Sequence, residues 1–94
     1  MIERYSVGID FGTLSARAIL VDTHSGREVF TSIYGYQDAV IDRSLPQSAE
    51  ELPADYALQN PADYISAVKA LLKDITNNAE VSPEDIISIG IDFT

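Results

Sequence analysis

Two nearly identical β-prone segments bracket the chain: Gly8-Ile9-Asp10-Phe11-Gly12-Thr13 close to its start and Gly90-Ile91-Asp92-Phe93-Thr94 at its end. Between them lies one clear helical stretch. Asn60 can cap it, Pro61 suits its first position, and Asp63 falls in the first turn, where the helix dipole favours an anion. Tyr64, Ile65, Val68, Leu71, Leu72 and Ile75 then recur at helical spacing, and Asn77-Asn78 mark the end. Strand, helix and strand in that order predict a right-handed crossover whose last strand lies parallel to an earlier one. The repeat makes the first strand the natural neighbour. Such pairing sets Asp10 and Asp92 side by side at the carboxyl ends of parallel strands, where open α/β sheets bind their ligands.

The remaining elements fill in around that unit. Tyr5 to Phe11 and Ala16 to Asp22 read as buried strands joined by a tight loop, and residues 27–36 alternate imperfectly as a third strand nearer the sheet edge. Turns this short force the three into an antiparallel meander, because parallel neighbours need a crossover of about a dozen residues. Residues 37–59, with Pro46 and Pro53, lose all periodicity and read as a long loop. A binding element or lid and a plain surface excursion both fit it. Ser82-Pro83-Glu84-Asp85 can cap a single helical turn, and residues 86–93 form a fourth strand, almost wholly apolar as expected of one covered on both faces. The chain stops at the end of that strand with no turn or cap. The expectation is therefore a truncated amino-terminal domain over residues 1–94, with the rest of that domain and a second domain missing.

Charge and composition narrow the function classes. Six Lys and Arg against fifteen Asp and Glu give a net charge of −9, which repels a nucleic-acid backbone. The acid concentrates in Asp38, Asp42, Glu50, Glu51, Asp55 and Asp63, opposed only by Arg43, so an anion site belongs in the first third. With no cysteine and one histidine, His24, a disulfide framework and a thiolate metal site are excluded. No apolar run approaches the ~20 residues of a membrane helix, and no secretory signal opens the chain. A cytoplasmic protein is expected, without nucleic-acid or membrane partners.

Asp10-Phe11-Gly12-Thr13-Leu14-Ser15-Ala16-Arg17 is the segment whose spacing carries chemistry. A glycine lets the chain turn sharply, and the backbone amides of a tight turn can form an anion-binding concavity. Thr13 and Ser15 add hydroxyls, and Arg17 can bring a guanidinium to phosphate oxygens. Asp10 would repel a bare phosphate but suits Mg²⁺, which takes one or two carboxylates together with substrate phosphates. An ordinary hairpin turn with a surface arginine fits the same residues. The loop lacks the Gly-x-x-x-x-Gly-Lys pattern of a P-loop and the third glycine of a dinucleotide fingerprint.

The order Asp-x-Gly-Thr-x-Ser-x-Arg between the first two strands, then a meander, a helix and a Gly-Ile-Asp strand resembles the FGGY carbohydrate kinases, members of the actin-like ATPase superfamily. The resemblance covers the whole chain. Asp10, Gly12, Thr13, Ser15 and Arg17 carry it, with Asp22 closing the second strand. A softer set, Ala57-Leu58-Gln59-Asn60-Pro61-Ala62-Asp63-Tyr64 and Gly90 to Thr94, favours one pentulose-kinase branch over the glycerol and xylulose kinases.

The fold implied is the amino-terminal portion of an actin-like ATPase, ribonuclease H-like domain: a three-stranded antiparallel meander, a crossover helix and a fourth strand parallel to the first. The activity implied is ATP-dependent phosphorylation of a sugar primary hydroxyl, with ATP and Mg²⁺ as cofactors. By resemblance, Asp10 holds Mg²⁺ through water, Thr13 and Ser15 sit against the β- and γ-phosphates, and Arg17 neutralises the transferring group. Asp92 and Thr94 shape the sugar pocket. Leu14 departs from glycerol kinases, which tend to carry another hydroxyl there. The catalytic base and the adenine pocket of the family lie downstream, so the fragment is expected to be inactive, to bind no ATP measurably and to self-associate through uncovered apolar surface. A polymerising or chaperone-type ATPase of the same superfamily is an alternative, against which Arg17 and the lack of a lysine in the second strand count. A sugar-responsive regulator would carry a basic helix-turn-helix ahead of the first strand, where only Met1 to Arg4 stand.

Overall fold

In a computed structural model, residues 3–45, 47–48 and 50–93 are described. Strands β1 (Tyr5–Phe11), β2 (Ser15–Asp22) and β3 (Glu28–Gly35) form an antiparallel meander, helix α1 spans Pro61–Asn78, a 3₁₀ turn covers Pro83–Asp85, and β4 is Ile86–Phe93. The sheet order is β3-β2-β1-β4, and β4 runs parallel to β1 as the repeat predicts.

One face of the sheet is apolar by alternation. Val7, Ile9 and Phe11 of β1 and Ala16, Ala18 and Leu20 of β2 are buried, while the residues between them turn to the other side. Helix α1 closes this face over β2 and β3 with Ala67, Leu71 and Ile75. Its start follows the sequence signals: Asn60 Oδ1 accepts from the Ala62 amide at 3.0 Å, with Pro61 next in line. The buried stripe lies slightly to one side of the expected one. Ile65 is 60% exposed, whereas Asp63 is buried and accepts from the amides of Asp38 and Ala39. Asp63 therefore anchors the chain leaving β3, where Ala39 adopts a left-handed φ of 51°.

A second polar contact fixes the helix to the sheet. Ser32 of β3, also buried, donates to Asp74 Oδ2 at 2.5 Å, and Asn78 donates to Asp74 Oδ1 at 2.6 Å. The Ser32 bond first, and the Asn78 bond second, hold the Asp74 carboxyl below its ordinary range. As pH falls the unfolded chain binds this proton first, so the stabilisation is present above the ordinary aspartate pKa of 3.8 and is lost below it. Ser32→Ala is expected to make the loss of stability as the pH falls below about 4 less steep. Urea titrations across that range check it; an unchanged slope would count against the contact.

A further finding differs from the sequence reading. The fourth strand is not covered on both faces: Ile87, Ile89, Ile91 and Phe93 are 58, 50, 59 and 58% exposed. The sheet order puts β4 at the edge, and α1 sits over the opposite half of the sheet. The segment 37–59 is a long loop as expected, with no helix or strand among its described residues. It folds back on itself through paired backbone bonds between Ile41 and Leu58, at 2.7 and 2.8 Å, and through a Ser44–Glu51 bridge.

Candidate functional site

The site lies on the sheet face away from α1 and at the turn between β1 and β2. Asp10 is paired across the sheet with Arg17 on one side and Asp92 on the other. Residues paired in this way project from the same face, so Arg17, Asp10 and Asp92 form a row across three strands. The neighbouring row is Ile19, Gly8 and Gly90. With no Cβ at two of these positions, the floor there is backbone alone, and a cavity of about 420 Å³ opens between the rows. Among the described residues, neither Asp10 nor Asp92 has an ion-pair or side-chain hydrogen-bond partner. Two neighbouring exposed carboxylates repel one another unless a cation sits with them. Their oxygens fit a hard ion such as Mg²⁺, which needs only one or two carboxylates from the protein.

The turn 12–15 adjoins the row. Gly12 N–H donates to Ser15 O at 2.9 Å, which leaves Thr13 and Leu14 as the two-residue tip. Only Gly26 among the described glycines has a positive φ, so Gly12 serves by close approach: a Cβ there would lie 2.9 Å from Ser15 O. Thr13 and Leu14 are exposed, and no described residue accepts from their amides. Ser15 opens β2 two residues before Arg17 and so shares its face. Thr94, expected to shape the sugar pocket, lies outside the described residues.

The structure thus brings Asp10, Gly12, Thr13, Ser15, Arg17 and Asp92 to one end and one face of the sheet. Sequence reasoning missed Gln59. Its Nε2 donates to Thr13 O at 3.1 Å, while the Tyr64 hydroxyl donates to Gln59 Oε1. Tyr64 stands among Phe11, Tyr36 and Phe93, with edge-to-face ring centroids 5.4–5.7 Å away. The signal available was the Gln59-to-Tyr64 motif itself, which the resemblance used only to separate branches. Tyr36 is buried in the same cluster, and among the described residues its hydroxyl has no partner. Burial, and then the nearby Tyr64, Asp10 and Asp63, raise its pKa above the ordinary phenol value of 10.0.

A meander whose first strand carries an acid and a glycine turn lies beside a parallel crossover strand carrying a second acid, and this fold is shared with solved sugar kinases. Solved structures agree on the fold: a gluconate kinase from Lactobacillus acidophilus (TM-score 0.73, 22% identity, 99% of this chain and 16% of that one) and a xyloylose kinase from Brucella ovis (TM-score 0.66, 22% identity, 97% and 17%). By sequence the chain resembles the FGGY carbohydrate kinases and, within them, the amino-terminal part of ribulokinase. It is 42% identical over 93 residues to the ribulokinase of Shouchella clausii, covering 99% of this chain and 17% of the relative. It is 43% identical over 94 residues to that of Geobacillus thermodenitrificans, covering 100% and 16%. The chain therefore spans about a sixth of the length of the curated relatives it matches. No family model matches it. Among the described residues no helix is long and apolar enough to cross a membrane.

Proposed function

We propose that this chain is the opening segment of a longer cytoplasmic kinase that transfers the γ-phosphoryl group of ATP to L-ribulose, giving L-ribulose 5-phosphate and ADP in arabinose breakdown. The observation that carries the reading is the pairing of the two Gly-Ile-Asp segments, Gly8 to Gly90 and Asp10 to Asp92, with Arg17 opposite Asp10. Identity of 42–43% to ribulokinases over almost the whole segment supports the pentulose as acceptor.

In this reading the exposed amides of Thr13 and Leu14 and the hydroxyls of Thr13 and Ser15 receive the β- and γ-phosphates of the nucleotide. Arg17 supplies positive charge to the phosphoryl group as it leaves ADP. Asp10 holds Mg²⁺ through water, with Asp92 beside it shaping the sugar pocket. Mg²⁺ held there would supply charge neutralisation to the phosphates of the nucleotide. The base that deprotonates the sugar hydroxyl and the adenine pocket come from the rest of the protein. Positioning from both sides of a cleft is what phosphoryl transfer requires, so the isolated segment is inactive. Its uncovered β4 row is the apolar face through which it self-associates.

The test is a coupled ADP-release assay on the full-length protein with a panel of pentuloses and polyols. L-Ribulose is expected to give the highest kcat/KM. Preference for glycerol or a polyol would move the reading to another branch, and ATP hydrolysis indifferent to every sugar would remove it.

A further inference from the structure

The segment 37–59 leaves the sheet and returns to it at the same place. At its departure Tyr36 N–H donates to Leu14 O at 3.1 Å, and at its return Gln59 Nε2 donates to Thr13 O at 3.1 Å. Both carbonyls of the turn tip are thus held by the two ends of one excursion. The Ile41–Leu58 pairing ties those ends together, so the grip is a property of the folded excursion.

A peptide unit is planar, and none here is cis. In a trans unit the C=O and the N–H point in opposite directions. With Thr13 C=O committed to Gln59, the Leu14 N–H of the same unit faces away from Gln59, where no described residue accepts from it. Which end of the Gln59 amide meets Thr13 is itself fixed. The Tyr64 hydroxyl donates to Oε1, which leaves Nε2 for the carbonyl, and the rings of Phe11, Tyr36 and Phe93 hold Tyr64 in place.

We propose that Gln59, oriented by Tyr64, is a positioning residue that sets the Thr13–Leu14 peptide so that its amide is presented to the nucleotide phosphates. The inference rests on the kinase reading above and adds to it a residue that touches no substrate. It also gives the departure at Leu14 a physical sense: the backbone amide, held from the far side, takes the place of a side-chain hydroxyl. Gln59→Glu is the sharpest probe, because the carboxylate still accepts from Tyr64 but cannot donate to Thr13 O, and Gln59 is exposed enough to accept the charge.

The experiment is steady-state kinetics on the full-length enzyme with MgATP and sugar varied separately. Gln59→Glu is expected to raise KM for MgATP about tenfold, the loss of one hydrogen bond to a charged group, with KM for sugar within about twofold. Tyr64→Phe is expected to raise it about threefold, and the double variant to be no worse than Gln59→Glu, because Tyr64 acts through Gln59. An MgATP KM within twofold of wild type, parallel rises in both KM values, or additive effects would each overturn the role of Gln59 and leave the kinase reading standing. A wild-type protein without sugar-dependent ADP release would remove both.

Discussion

Gly12→Ala is expected to lower kcat/KM of the full-length kinase by about 100-fold, the scale of loss that follows from a displacement of roughly 1 Å in a phosphate-positioning element. The cause is local. The added Cβ would stand 2.9 Å from Ser15 O, and the obstacle is backbone, which cannot rotate aside as a side chain can. The turn must open, the Gly12 N–H to Ser15 O bond stretches, and the Thr13 and Leu14 amides move with it. Gly26→Ala is the matched control. Gly26 sits at the other end of β2 with a φ of 76° and open space around it, so alanine there costs about 1 kcal/mol of stability through backbone conformation and leaves the kinetics alone. Equal kinetic losses in the two variants would show that the 12–15 turn has no special part in catalysis.

The largest stability effect is expected from Leu71→Ala. Leu71 is 1% exposed at the centre of the helix face that covers β2 and β3, and truncating such a residue costs about 3 kcal/mol in lost burial and residual cavity. In a domain of this size that corresponds to a fall in melting temperature of roughly 12–24 °C. Ile65→Ala, six positions earlier on the same helix, is expected to stay within about 0.5 kcal/mol, because Ile65 is 60% exposed. Thermal melts of the two variants decide it. A comparable loss at Ile65 would mean that the helix is rotated about its axis from the position described.

The contrast between Leu71 and Ile65 marks how far periodicity reaches. Spacing put both on one apolar stripe, which a helix of any orientation would share. Which residues of that stripe are buried depends on where the axis crosses the sheet, and Asp63 illustrates the consequence. By sequence it is a first-turn anion near the helix dipole; in the fold it is buried because its carboxylate receives the Asp38 and Ala39 amides. The apolar run of β4 is similar. Its composition states a demand for cover, and the sheet order leaves that demand unmet within this segment.

What the amino-acid order determined is everything that depends on neighbours within a few positions or on direct repetition. The meander follows from short turns, the helix start from Asn60 and Pro61, and the β1–β4 partnership from two copies of Gly-Ile-Asp. From these the side-by-side placement of Asp10 and Asp92 could be made in advance, whereas the hairpin register that sets Arg17 opposite Asp10 is seen only in the structure. The tertiary structure alone decided which groups 20 to 50 positions apart complete the site. Gln59 reaches Thr13 across 46 positions, and Asn60 reaches Asp38 across 22. A hydrogen bond needs its donor and acceptor placed within a few tenths of an ångström. No local pattern encodes that; it arises only when the excursion closes and the helix docks.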